Sequence, residues 1–349
     1  MSRDGPSDLP ADGTIRLRGV TLDFGARSHA GAARGVRALD HVDLDITPGE
    51  VLGLVGESGS GKTTLGKTIL GAYRPTAGQI FYRGRDLAAL APGRWGALRR
   101  DLQMVFQDPL SSFNPRFTIA SSLALPLRLH RIFPRERIAA ETANLLRRVG
   151  LGAEHAARYP HELSGGQLQR VAIARAISVA PRVIVADEAV SKLDVSVRAQ
   201  ILNLLKRMNR ETGVSLVFIT HDLGVARFIC DRIAVMYFGR VIELGPTEQV
   251  FGAPRHPYTQ ALVQARSAGP VATDADEISL AIADPARACN YAARCVCRIE
   301  TCTTVRPALQ AGEAHAAACL VPVTAAGAPP EGDVPAAHHQ PTRMAEPQE

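Results

Sequence analysis

The stretch "VLGLVGESGSGKTTLGKTIL", residues 51–70, decides the fold. Its first five residues are apolar and read as a short buried strand. Gly56-Glu57-Ser58-Gly59-Ser60-Gly61-Lys62-Thr63 then fits G-x-x-x-x-G-K-[ST] in full, and "KTTLGKTIL" continues with helical spacing through Thr64. The glycines let successive backbone N–H groups converge on phosphate oxygens with no side chain in the way. Lys62 is placed to reach the β- and γ-phosphates, and the Thr63 hydroxyl to ligand Mg²⁺. A helix starting at the loop points its positive end at the anion.

A phosphate loop alone suits kinases, GTPases and ATPases equally, so the next question is what else the chain offers a nucleotide. "RVIVADEA" (182–189) is a buried strand ending in two carboxylates. Asp187 is placed to hold Mg²⁺, and Glu188, one position on, to poise a water in line with the γ-phosphate. A small-molecule kinase does not need that second acid, because its acceptor is a substrate.

Outward from the loop, apolar strands alternate with helical stretches. "TIRLRGVTLDF" (14–24) alternates as a half-buried strand, "ARSHAGAARG" (26–35) is a small-residue loop, and "ALDHVDLDI" (38–46) is a second strand. From residue 109 to about 181 the pattern is largely helical, with amphipathic runs at 135–151 and 165–179. A helix over 197–213 closes on Gly213, "VSLVFITHD" (214–222) is a buried strand, and 232–245 is a hairpin turning at Phe238-Gly239. Such alternation predicts an α/β fold with a largely parallel sheet covered on both faces.

A second glycine pair stands in "YPHELSGGQLQR" (159–170), ahead of a helix and about a hundred residues beyond the first cradle. With it, the ordered set "GESGSGKTT", "VFQDP", "LSGGQ", "VIVADE", "SKLD" and "ITHD" resembles the ATP-binding subunit of an ATP-binding cassette (ABC) transporter, over about residues 14–255. The resemblance implies a phosphate-loop NTPase fold with an inserted helical subdomain, at about 109–181 here. It implies that two nucleotide-binding subunits pack head to tail, so that Ser164, Gly165, Gly166 and Gln167 close over ATP held by the partner's loop. It further implies that Gln107 contacts Mg²⁺ and water, that His221 contacts the γ-phosphate, that Asp194 signals across the interface, and that Phe24 stacks on adenine.

"SSFNPRFTIASSL" (111–123) and "MYFGRVIELGPTEQVFGAPRHPYTQAL" (236–262) resemble the oligopeptide/dipeptide/nickel importer group within that family. Membership implies a homo- or heterodimer of ATPases serving two membrane permeases and, indirectly, a solute-binding protein. It places the chain at the cytoplasmic face of the membrane, and residues 256–323 become the group's C-terminal extension.

That extension holds five of the six cysteines. The set Cys289, Cys295, Cys302 and Cys319, with spacings of 5, 6 and 16 residues, resembles the group's recurrent cysteines. Four thiolates suit a [4Fe–4S] cluster or Zn²⁺, wide spacings favour the cluster over zinc, and free thiols stand as the third reading. Cys297 is a substitute ligand. Cys230, in an apolar run, reads as a buried small hydrophobe.

The totals agree with a globular protein: 349 residues, 46% hydrophobic and 21% charged. No run approaches the roughly 18 apolar residues of a membrane span, and "MSRDGPSDLP" has no signal-like start, which predicts a cytosolic chain. The formal net charge of +6 is spread as scattered arginines, so no nucleic-acid partner is expected. Residues 1–13 and 324–349 read as disordered tails. The leading expectation is therefore an ATPase subunit of an importer for peptides or similar small solutes. A soluble ABC ATPase acting on nucleic acid or ribosomes is the alternative, and a phosphate-loop kinase a third that "LSGGQ" and Glu188 disfavour.

Overall fold

The computed structural model describes residues 14–25, 35–90, 95–268, 287–310 and 313–322. Nearly all of the expected small-residue loop at 26–35, and the tails expected at 1–13 and 324–349, lie outside the described residues. In chain order the first elements are β1 (Ile15–Phe24), β2 (Val36–Ile46), β3 (Val51–Val55), α1 (Lys62–Ile69), β4 (Ala77–Tyr82), β5 (Arg85–Asp86), α2 (Trp95–Asp101) and β6 (Leu102–Val105). Then follow α3 (Ile119–Leu129), α4 (Ile138–Arg148), α5 (Gly165–Ile177), β7 (Val183–Asp187), α6 (Val195–Thr212), β8 (Ser215–Ile219) and α7 (Leu223–Ile229). The remainder is β9 (Arg232–Tyr237), β10 (Arg240–Pro246), α8 (Thr247–Gly252), α9 (Pro257–Ala268) and β11 (Ala316–Ala317).

Among the described residues the strands form two sheets. The larger runs β11-β10-β9-β3-β8-β7-β6, with parallel pairing from β9 through β6 and an antiparallel edge at β10 and β11. Every residue of β3, β7 and β8 is buried, as in strands covered on both faces. The smaller sheet, β2-β1-β4-β5, is antiparallel. Its half-buried alternation puts Ile15, Leu17, Leu39, Leu44 and Ile80 into a core shared with α1. The expected parallel core is therefore present, but β1 and β2 belong to a separate antiparallel layer. Alternation in these strands shows one wet face and not which sheet they join.

Position in the larger sheet sets up the site. β3 lies between β8 and β9, with β7 beyond β8, so the turns leaving β3, β7 and β8 emerge together at the carboxyl ends of parallel strands. Ligands of open α/β sheets bind in that crevice.

Away from it, α3, α4 and α5 pack around Ile119, Leu123, Leu127, Leu145, Leu146 and Val171. Thr118 starts α3 by accepting the Ser121 N–H at 3.2 Å. Gly213 ends α6 at φ 66°, a left-handed cap that glycine takes without Cβ strain. The turn between β9 and β10 has φ 43° at Phe238 and 78° at Gly239. Two left-handed residues in succession match the twist of the strands they join.

A buried acid helps to fasten the C-terminal region. Glu243 on β10 has no solvent exposure and accepts the N–H groups of Arg255 and His256 at 2.8 Å each. His315 Nε2 lies 2.7 Å from its carboxylate, and the adjoining β11 pairs with β10. Satisfying that carboxylate draws in both the approach to α9 and the last described segment.

Candidate nucleotide-binding site

The loop after β3 can be followed from its glycines. Gly56 and Gly61 have φ of 149° and 101°. A Cβ on Gly56 would collide with the Met236 carbonyl, and one on Gly61 would sit 2.7 Å from the Ala38 carbonyl. Only glycine fits between the two sheets at these points. Gly59, at φ 80°, needs glycine for conformation alone, since nothing lies within 4 Å. The Ser60 carbonyl accepts the Gly239 N–H at 2.9 Å, which ties the loop to the β9–β10 turn.

Lys62 starts α1 and is 6% exposed. Its ammonium donates to the carbonyls of Gly56 at 2.8 Å and Glu57 at 2.6 Å, and to Ser60 Oγ at 3.2 Å. Burial pushes its pKa down, while Glu188, Asp187 and Glu57 pull it back up. Thr63, the next residue, donates its hydroxyl to Asp187 Oδ1 at 2.9 Å. Burial raises the Asp187 pKa, the Thr63 bond lowers it, and the Glu188 charge raises it. Ser58 is exposed, and Thr64, on the first turn of α1, is partly buried.

Glu188 sits just past β7 at φ 43°, a left-handed conformation uncommon for a side-chain-bearing residue. Its backbone is pinned there: its N–H donates to Ile219 O at 3.0 Å and its carbonyl accepts from Ser191. The carboxylate is engaged at both oxygens, by Gln107 Nε2 at 2.6 Å and by His221 Nδ1 at 3.1 Å. Residues from two other turns thus converge on this acid beside the loop. Thr63 Oγ1 and Asp187, joined at 2.9 Å, are oxygen donors of the kind a hard divalent cation such as Mg²⁺ takes.

Ser164 to Gln167 lie elsewhere, at the N-terminus of α5. Ser164 Oγ accepts the Gln167 N–H at 3.3 Å, and Gln167 Oε1 accepts the Ser164 N–H at 3.0 Å, forming a capping box. Gly165 and Gly166 supply first-turn N–H groups that precede the first intrahelical acceptor. A Cβ on Gly166 would run into Val197 of α6. Among the described residues no hydrogen bond or ion pair joins Ser164–Gln167 to the phosphate loop. Asp194 caps the start of α6 with its backbone and is exposed, next to Val195 at 80% exposure. Phe24 ends β1, 40% exposed, with its ring edge-on to Tyr73 at 5.2 Å.

The cysteine set is only partly gathered. Cys289 N–H donates to the Cys302 carbonyl at 2.9 Å. Burial pushes the Cys295 thiol up to about 12 and the Cys319 thiol up to about 11, with the charges of neighbouring thiols adding to both. Among the described residues no three His, Cys, Asp or Glu side chains form a group that could hold a metal ion. All six cysteines are free, and Cys230 is buried as the apolar run around it implied. With no such group among the described residues, this arrangement does not itself fit a [4Fe–4S] cluster or Zn²⁺.

Two residues at the loop were missed by sequence reading. The Glu57 N–H donates to the Tyr258 hydroxyl at 2.9 Å, and Arg294 reaches the Glu57 carboxylate at 3.5 Å. The one available signal was "HPYT", which carries no phosphate chemistry of its own.

A phosphate loop after a parallel strand, two acids at the end of a neighbouring one and a separate glycine-rich helix start define a phosphate-loop nucleotide-binding protein of the cassette type. The chain matches the ABC transporter family model over residues 39–191 and the model for the oligopeptide/dipeptide transporter C-terminal region over 242–302. It is 32% identical to the ATP-binding cassette MJ0796, solved as a dimer in a post-hydrolysis state with ADP and Pi. That likeness has a TM-score of 0.61 and covers 67% of this chain and 98% of the other. The chain belongs to the ATP-binding cassette family. It is also similar to cbiO1 of Clostridium perfringens, part of the ABC transporter complex cbiONQ, at 28% identity and TM-score 0.60, covering 69% and 91% of the two chains. Among curated proteins it is 49% identical over 253 residues to the glutathione import ATP-binding protein GsiA of Escherichia coli K12. That match covers 72% of this chain but 41% of GsiA, so the chain spans about two fifths of the curated relatives it matches.

The buried charge at Asp187 yields a test. Its raised pKa means that ionisation costs stability as pH rises from the ordinary carboxylate range to the raised value, and that the cost persists above it. Asp187→Asn keeps an oxygen for the Thr63 hydroxyl and removes the charge. Urea unfolding of the nucleotide-free chain is expected to show a higher midpoint for the variant, with a gap that widens with pH through that window, while Mg²⁺ no longer tightens nucleotide binding. A lower midpoint at neutral pH would contradict this reading.

Proposed function

We propose that the chain is the ATP-hydrolysing subunit of an importer for peptides or similar small solutes, working at the cytoplasmic face of the membrane. The observation that carries hydrolysis is the Glu188 carboxylate, aimed by Gln107 and His221 beside the Thr63–Asp187 pair. Support for import of small peptides comes from the oligopeptide/dipeptide C-terminal match and from the likeness to a glutathione importer subunit.

In this reading backbone N–H groups of Gly59 to Thr64 and the Lys62 ammonium bind the phosphates. Thr63, Asp187 and Gln107 would hold Mg²⁺, which when bound would neutralise part of the phosphate charge. Glu188 takes a proton from water as the water oxygen bonds to the γ-phosphorus, and the bridging oxygen leaves with ADP. Lys62 offsets the charge that builds on the phosphates. His221 and Gln107 keep the Glu188 carboxylate turned toward the attacking water. Phe24 is the adenine platform.

The signature residues Ser164–Gln167 serve a second ATP-binding subunit, identical or related, whose loop they close over, and Asp194 lies at the same interface. Two permeases receive the resulting motion, and a solute-binding protein supplies the solute. ATP bridges the two subunits, and its hydrolysis removes the bridge.

Glu188→Gln is expected to lower turnover about 100-fold or more while nucleotide affinity stays within about twofold. Turnover that survives the substitution shows that Glu188 is not the base.

The metal reading of Cys289, Cys295, Cys302 and Cys319, with Cys297 as a substitute, rests on the resemblance alone. It requires them to close in and deprotonate. Anaerobically purified protein is expected to be brown, with iron and sulfide in near-equal amounts. Colourless protein carrying zinc leaves a metal site without iron, and colourless metal-free protein removes the site.

A further inference from the structure

The phosphate loop is gripped from its outer side by the C-terminal region, and nothing in the hydrolytic scheme uses that grip. Glu57 is the first loop residue after Gly56 and, unlike a proline, carries an N–H that needs a partner. That N–H donates to the Tyr258 hydroxyl at 2.9 Å, across 201 residues of chain. Tyr258 is 2% exposed, and its ring packs 4.6 Å from Tyr237 and 5.5 Å from Tyr291, so the hydroxyl is fixed in position. Arg294 lies on the same wall, 3.5 Å from the Glu57 carboxylate. From the inner side the Lys62 ammonium takes the Glu57 carbonyl at 2.6 Å. Both polar groups of the Glu57 backbone are thereby fastened, one to the nucleotide side and one to the extension.

The glycines at 56, 59 and 61 have more backbone freedom to lose than other residues would have there. Aiming its N–H groups before a ligand arrives removes that cost from binding. We propose that Tyr258 is a positioning residue for the phosphate loop, with Arg294 in a smaller part. Its hydroxyl anchors Glu57, so that the following N–H groups converge on the nucleotide's diphosphate. The Arg294 pair is partly solvated, at 35% and 45% side-chain exposure, and contributes less. The proposal rests on the nucleotide-site reading above.

The test is equilibrium titration of the full chain with Mg·ADP, which needs the phosphate loop but no partner signature. Tyr258→Phe keeps the ring packing and removes only the hydroxyl. Its Kd for Mg·ADP is expected to rise about three- to tenfold, the loss of one buried hydrogen bond. Arg294→Met is expected to raise it less, and the double variant to fall short of the product of the two, because both act on one residue. A purely structural hydroxyl would lower the melting temperature and leave the Kd unchanged, and that result overturns the proposal. Should Tyr258→Phe fail to fold, an unchanged Kd in Arg294→Met overturns it instead. Lys62→Ala separates the two claims: if it leaves Mg·ADP affinity intact, the nucleotide site itself is misplaced, whereas an unchanged Tyr258→Phe beside a defective Lys62→Ala removes the anchor alone.

Discussion

A Cβ at Gly61 would sit 2.7 Å from the Ala38 carbonyl, and one at Gly56 would strike that of Met236. The loop between them is pressed against strands from both sheets, β2 on one side and the β9–β10 hairpin on the other. Backbone, and nothing bulkier, fits there. This close approach holds the loop in the curled form that aims N–H groups at an anion. It also fixes where the remaining parts must stand. Asp187 and His221 reach the site because β8 runs parallel to β3 directly beside it, and β7 one strand further out.

Charge balance at the loop follows from the same crowding. Lys62 is buried and held by loop carbonyls, and three carboxylates offset the burial of its charge. Asp187 suffers burial in turn, relieved by Thr63. A region this crowded with opposed charges is poised for a ligand that brings both phosphate oxygens and a cation. Glu188 shows the same tension in its backbone, left-handed at φ 43° and held there by Ile219 and Ser191. Strain of this kind persists where surrounding bonds over-determine it. Here they orient the one carboxylate that Gln107 and His221 grip.

Much of this was legible in the sequence because it is local. The loop, the acid pair, the helix that follows the Gly165-Gly166 pair and the Phe238-Gly239 turn are each set by neighbours in the chain. What escaped was long-range. Alternation in β1 and β2 could not show that they build a second sheet with β4 and β5. "HPYT" gave no hint that its tyrosine meets Glu57, nor could any local pattern bring Glu243 and His315 together. The cysteine spacing suggested a four-ligand centre, but spacing fixes neither side-chain direction nor burial, and among the described residues no metal-holding group is gathered.

Ser164 carries the central claim that a second subunit completes the site. In this chain it only caps α5, a task that aspartate performs equally well. Ser164→Asp therefore preserves the helix start while placing a negative charge where the partner's γ-phosphate would lie. The decisive measurement is ATP turnover of the assembled ATPase carrying that substitution, beside the melting temperature and Mg·ADP affinity of the isolated chain. The account predicts the latter two unchanged and turnover sharply reduced; turnover at the unsubstituted rate would contradict it.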